Sequence, residues 1–221
     1  LAQGYPDCWT FSIDGLIGAS PETLVAVAAT TVDARVLAGT AARGKDPHGD
    51  LDAAAALATS TKDLDEHAFA VRSVIDALSP LTGSLRAGEP YTLKLPNVWH
   101  IATDVSGTLG NGASSLDLVE ALHPTAAVAG TPTSAALAII SELEPFDRGR
   151  YAGAVGWVGA NGDGEWAVAL RCMQVETSPN GSQRVTAHAG AGVVADSHPD
   201  SELVETTMKF RPIVDALTAV D

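Results

Sequence analysis

The spacing of apolar residues changes several times along the chain, and each change predicts a new element. From Trp9 to Gly18 an alternating apolar stretch is interrupted by Asp14-Gly15, the signal of a tight turn between two strands. Leu24 to Leu37 is rich in Val, Ala and Thr, so residues 1 to 42 read as strands. After the polar turn from Gly44 to Gly49 the composition shifts to helix formers, first in an Ala-rich helix over 51 to 58. Leu64, Ala68, Val71, Ile75 and Leu78 then recur at spacings of three and four, which predicts a helix over 61–78, stopped by Pro80 and Gly83.

The second half predicts a strand over 91–102, a Gly-rich loop over 107–112, and a short helix over 116–122 entered through Ser114/Ser115. A further helix is expected over 134–143. Three strands then follow, over 151–158, 165–175 and 184–194. The turn strings Asn161-Gly162-Asp163-Gly164 and Ser178-Pro179-Asn180-Gly181 join them into an expected antiparallel meander. The last helix starts near Pro199, with Leu203, Phe210, Val214 and Leu217 as its apolar stripe. One α+β domain spanning 1–221, with helices packed on antiparallel sheets, fits this order.

Composition narrows the class. Hydrophobic residues make up 46% of the chain and charged residues 18%, and no apolar run reaches the roughly 18 residues of a bilayer span. The formal net charge of −14, with no basic cluster larger than Arg148/Arg150 or Arg43/Lys45, argues against nucleic acid or an anionic membrane as partner. Cys8 and Cys172 are too few for a disulfide framework and read as buried or idle thiols of a cytoplasmic protein. The first residues lack a signal-peptide pattern. An acidic protein that binds an anion must use a few placed cations, backbone N–H groups or a metal.

Asp63 with Glu66, and Glu202 with Glu205, are acidic pairs three residues apart on predicted helices, each projecting from one side of its helix. Oxygen-only ligands of this kind suit magnesium, which keeps several waters and shares its shell with a substrate anion. The same spacing also fits a solvated face with a Glu205 to Lys209 pair. Arg171, in an otherwise apolar strand, needs a carboxylate partner from the protein or from a ligand, and Ala189-Gly190-Ala191-Gly192 marks either a ligand approach or a sheet bend. Glu22 alone reads as a routine surface carboxylate. His67, His100, His123 and His188 lack zinc spacing, and no phosphate-binding Gly loop is present.

Nine strings occur together and in order. They are Gly18-Ala19-Ser20-Pro21-Glu22, Leu37 to Ala41, Asp63 to His67, His123-Pro124-Thr125, Glu142 to Arg148, Tyr151 to Trp157, Gly164 to Arg171, Ala189 to Gly192, and Glu205 to Lys209. The set resembles the chorismate-utilising enzymes over almost the whole chain. The resemblance implies two antiparallel sheets packed face to face with helices outside, incomplete at the N-terminus, and a site for chorismate and Mg2+. It implies Glu66 and Glu205 as metal ligands, with Asp63 and Glu202 acting through water. Arg171, Lys209 and the backbone around Gly190 and Gly39/Thr40 are implied as carboxylate-binding groups, and Glu22 as the general acid.

Within the family, His123-Pro124-Thr125 with Ala127, and the Glu-Leu-Glu-Pro-Phe-Asp-Arg and Val-Gly-Trp strings, resemble isochorismate synthases. Salicylate-forming members tend to carry Thr at the place of Ala127, and ammonia-using members a Pro-Ala-Gly-Thr pattern. The implied activity is conversion of chorismate to isochorismate, by a monomer with no amidotransferase partner. The Lys general base of such enzymes lies upstream of the position of Glu22 and outside these residues. Salicylate formation, an amine-adding synthase, or a binding fragment without turnover are the alternatives. Siderophore, menaquinone and salicylate pathways all remain open for the product.

Overall fold

Two residues of an L-chain in left-handed backbone make the tightest hairpin turn, and Asp14-Gly15 does this at φ values of 48° and 78°. The turn joins β1 (Trp9–Ile13) to β2 (Leu16–Ser20), with Ile13 opposite Leu16. The structure is a computed structural model and describes all residues except 96–97, 111, 196 and 219–221. On its other edge β2 pairs with β10 (Cys172–Thr177), which pairs with β11 (Gln183–Ala187), giving a four-stranded antiparallel sheet ordered β1-β2-β10-β11. Leu16, Val155, Ala167, Ala169 and Cys172 form the core against it, with Trp9, Phe11 and Tyr151 packed alongside. All of this lies in one compact unit, made of Leu1–Thr23, Val128–Val155 and Ala167–Asp221, which also holds α5 (Thr133–Leu143) and α6 (Pro199–Thr218).

A second compact unit, Leu24–Ala127 with Gly156–Trp166, is built on the larger sheet. Its elements are β3 (Thr23–Ala28), β4 (Thr31–Ala42), α1 (Pro47–Thr59), α2 (Thr61–Leu78), β5 (Thr82–Ala87), β6 (Tyr91–Lys94), β7 (Val98–Leu109) and α3 (Ser115–Leu122). With β8 (Ala154–Val158) and β9 (Gly164–Val168) they form seven strands ordered β5-β7-β4-β3-β9-β8, with β6 also on β7. The helix expected from period is α2, residue for residue. Ser60 caps it by accepting from the Asp63 N–H at 3.3 Å. Val71, Val74 and Ile75 cover Ala34, Val36 and Val105, and Leu64 packs near Leu57, Trp99 and Ile101. Among the described residues no single helix is long and apolar enough to cross a membrane.

Several expectations are corrected. Pro47 begins α1 four residues before the Ala-rich run, because the Asp46 carboxylate accepts from the N–H groups of His48 and Gly49 and Pro fits the first turn. The stop after α2 leads straight into β5. The strand expected over 91–102 is β6 and the start of β7, with 96–97 outside the described residues. Gly107 to Leu109, expected as loop, end β7, and Gly107 is there because a Cβ would collide with the Ser84 carbonyl of the neighbouring strand. The meander does not form: the stretch over 165–175 breaks at Arg171, where φ is 49°. β9 belongs to the seven-stranded sheet and β10 to the four-stranded one. β11 ends at Ala187, so the Ala189 to Gly192 run is not in a strand. On α6 three residues of the expected stripe, Leu203, Val214 and Leu217, are exposed and Phe210 is half-buried, while Pro212 and Ile213 are buried instead.

Candidate active site

Backbone contacts on both sides fix Glu22 between β2 and β3. Its N–H donates to the Oγ of fully buried Ser20 at 3.2 Å, and its carbonyl accepts from the Val168 N–H at 3.0 Å. The side chain is only partly exposed. Burial pushes the carboxyl up to about 7, although the charges of Arg171 and Lys209 pull it down. A carboxyl held this way carries its proton close to neutral pH, which is what a general acid requires.

Arg171 sits at the break between β9 and β10, and its carbonyl accepts from the Ala19 N–H at 3.3 Å, tying it to the strand that leads to Glu22. A left-handed φ at a non-glycine residue costs free energy and persists where the surroundings impose it. The half-buried guanidinium has no ion pair and no side-chain hydrogen bond among the described residues. Burial lowers its pKa, opposed first by Tyr151 and then by Glu205. Among the described residues the carboxylate that acts on it is Glu205, through charge rather than through an ion pair.

In the same unit, Glu202, Glu205, Thr206 and Lys209 form the half-buried side of α6. Lys209 Nζ lies 2.5 Å from Glu205 Oε1 and donates to the Gly190 carbonyl at 2.8 Å, fastening the segment after β11 to the helix. No steric conflict requires glycine at 190, since a Cβ there would meet only the Tyr151 hydroxyl at 3.6 Å. Nearby, Phe146 stacks on His188 with ring centroids 4.7 Å apart, and Tyr151 approaches the same ring at 5.5 Å. Arg148 holds the Glu144 carboxylate by two hydrogen bonds of 2.8 and 2.5 Å, which fixes the loop carrying Phe146. This aromatic group has no pattern of its own in the sequence: Phe146 and Tyr151 fall in recurring strings, and His188 directly precedes one.

The second unit holds the remaining candidates. Gly39, at φ 78°, lies at a bulge in β4 where the register against β7 shifts between Ala38 and Thr40. Thr40 Oγ1 is 2.9 Å from His100 Nδ1. On α2, Asp63 is half-buried and its carboxylate accepts from the Ser60 hydroxyl, while Glu66 is exposed. Next to Glu66, His67 is buried, and burial lowers its pKa. Ala127 is exposed in a short helical turn, α4 (Ala126–Ala129), just after Thr125, whose buried hydroxyl has no hydrogen-bond partner among the described residues.

The four carboxylates implied as magnesium ligands fit that ion by chemistry. All are hard oxygen donors, and each unit offers one pair. Among the described residues no three His, Cys, Asp or Glu side chains gather into a metal cage. Magnesium is ordinarily held by one or two carboxylates plus water and substrate oxygens, so a protein-only cage is not its usual requirement.

The isochorismate synthase DhbC of Bacillus subtilis is 44% identical over 230 residues, which cover 98% of this chain and 56% of that protein. Among solved structures, MenF, the menaquinone-specific isochorismate synthase from Escherichia coli, superposes with a TM-score of 0.79 at 30% identity, over 90% of this chain and 46% of the other. Anthranilate synthase component I from Streptococcus pneumoniae also gives 0.79, at 28% identity, over 96% and 47%. The chain spans about half the length of the curated relatives it matches. The family model described as chorismate binding enzyme matches residues 1–218. With that match over nearly its whole length, the chain belongs to the chorismate binding enzymes.

Proposed function

We propose that the chain carries the acid, anion-binding and metal-binding residues of an isochorismate synthase, which converts chorismate to isochorismate. The observation that carries this reading is Glu22, a partly buried carboxyl with its pKa raised to about 7 despite two cations acting on it. Water adds at C2 of the ring while the C4 hydroxyl leaves. Glu22 donates its proton to that hydroxyl, which departs as water, and a base, a lysine by the resemblance, takes the proton of the incoming water. Arg171 and Lys209, with the backbone at Gly190 and at Gly39/Thr40, are the groups proposed to bind the substrate's carboxylates, and Ala127 is a further proposed substrate-binding position. Glu66 and Glu205, with Asp63 and Glu202 acting through water, are the residues proposed to hold magnesium. When bound, that ion supplies positive charge for a substrate carboxylate. The reading carries with it a cytoplasmic monomer that works without an amidotransferase partner.

Incubation with chorismate and Mg2+, with and without ammonia, followed by chromatography, tests the activity. Isochorismate is expected in both mixtures from a full-length parent that carries the lysine base, and about 10²- to 10⁴-fold more slowly from these residues alone. Salicylate, or an amine adduct formed with ammonia, would assign the other chemistries of the fold. For the acid, in a full-length parent Glu22→Gln is expected to lower kcat by about 10²- to 10⁴-fold with KM little changed, and the kcat of that parent to fall as pH rises through 7.

A further inference from the structure

The buried face of α2 contains one polar side chain, His67, which is 2% exposed. It meets β4 at the place where that strand is irregular. Nδ1 lies 3.2 Å from the carbonyl oxygen of Ala38, and Nε2 lies 2.7 Å from Thr103 Oγ1 on β7. A carbonyl only accepts, so Nδ1 carries the hydrogen. In the neutral ring Nε2 is then the acceptor, and the Thr103 hydroxyl donates to it. Both nitrogens are satisfied, one by the bulged strand and the other by its regular neighbour.

The bulge has little freedom of its own. A Cβ on Gly39 would stand 3.2 Å from the Asp63 Cβ and 3.0 Å from the Ile101 Cδ1, so α2 rests directly on it. Asp63 lies one helical turn before His67, and Glu66 is its immediate neighbour. A leucine would fill the same space without the desolvation cost of an imidazole, so a buried histidine here is explained by the geometry it imposes rather than by burial.

We infer that His67 is a positioning residue: by holding the Ala38 carbonyl it keeps the Gly39-Thr40 bulge in one conformation beneath α2, in register with the Asp63/Glu66 pair. That the bulge receives a substrate carboxylate rests on the function proposed above. The role of His67 toward the bulge does not.

Amide hydrogen exchange and calorimetry with chorismate and Mg2+ test the two parts separately, on wild type, His67→Leu and His67→Asn. Loss of the hydrogen bond in the Leu variant is expected to speed exchange at residues 38–41 by about tenfold, with residues 71–78 of α2 unchanged. The Asn amide can donate to the same carbonyl and is expected to restore slow exchange. Chorismate affinity is expected to follow the same order, weakened by about tenfold in the Leu variant. If the Leu variant does not fold, Thr103→Val, which removes only the hydroxyl that holds the ring, is expected to raise exchange at 38–41 in the same direction. Unchanged exchange at the bulge, or a uniform rise across the whole unit, would overturn the positioning role. A loosened bulge with unchanged chorismate affinity would overturn its link to the ligand. Failure of the wild type to bind chorismate would count against the proposed function, and the exchange data would still decide the role of His67.

Discussion

Helices α2 and α6 carry the same acidic pair, two carboxylates three residues apart, yet they present opposite sides to the protein. On α2 the apolar stripe packs inward, Leu78 is fully buried and Glu66 is exposed. On α6 Leu203 is 66% and Leu217 53% exposed, while Glu202, Glu205 and Lys209 are half-buried. Leaving a large aliphatic side chain in water forgoes roughly 1.5–3 kcal/mol relative to burying it. α6 does bury Pro212 and Ile213 and keeps Asp200, Arg211 and Asp215 in solvent, so the departure is confined to the side carrying Glu202, Glu205 and Lys209. Such a local break of the apolar-inside rule is expected where side chains serve a site. The contrast is one of packing: α2 turns its apolar face inward, and α6 leaves much of its own in solvent.

Substitutions on the two helices can break that contrast. Leu78→Ala on α2 is expected to destabilise the protein by about 2–5 kcal/mol in urea denaturation, because it opens a cavity at a fully buried position. A loss below 1 kcal/mol would remove α2 from its structural role. On α6, Glu205→Gln is expected to weaken Mg2+-dependent chorismate binding by about 10- to 100-fold in calorimetry, with the circular dichroism spectrum unchanged. Unchanged affinity would make the Glu205–Lys209 pair an ordinary helix ion pair. The smallest effect should come from Leu203→Ser, an exposed position where the change in stability should stay within about 0.5 kcal/mol. A large loss there would mean that the apolar stripe of α6 is covered in the working protein.

Glu22 adds a pH-dependent term. Its folded pKa lies above its ordinary value of 4.5, so the folded protein binds that proton more tightly than the unfolded chain. The carboxyl is accommodated without cost below 4.5, and the penalty develops as pH rises through 7. Glu22→Gln should thus gain stability relative to wild type at pH 8 compared with pH 4.5, on the order of 2–3 kcal/mol. Equal differences at the two pH values would show an unperturbed carboxylate.

Local signals carried much of the fold. The period of α2 and the Asp14-Gly15 turn state their structures in neighbouring residues, and both were legible. The β3–β4 hairpin was not divided correctly because its turn, Ala29-Thr30, has positive φ at both residues without the Gly or Asn that usually announces it. The break at Arg171 was invisible for a related reason: Ala167 to Leu170 and Cys172 to Met173 read as one apolar run, and only tertiary packing forces the left-handed residue between them. The site shows the same division. Spacing exposed the acidic pairs, and the recurring strings pointed to Glu22, Arg171 and Lys209. The raised pKa of Glu22 and the lowered pKa of Arg171 depend on burial by distant segments. His67 has no zinc spacing and no local signal, because its partners Ala38 and Thr103 lie 29 and 36 residues away.

The central claim is that Glu22 holds its proton near neutral pH, and carbon-13 NMR titration of its side-chain carboxyl tests it most directly. The chemical shift of the labelled carboxyl, assigned by comparison with Glu22→Gln, is expected to titrate with a midpoint of about 7. In Arg171→Met the midpoint is expected to rise further, since the guanidinium favours the ionised form. A wild-type midpoint near 4.5, the value of an ordinary glutamate, would contradict its assignment as the general acid.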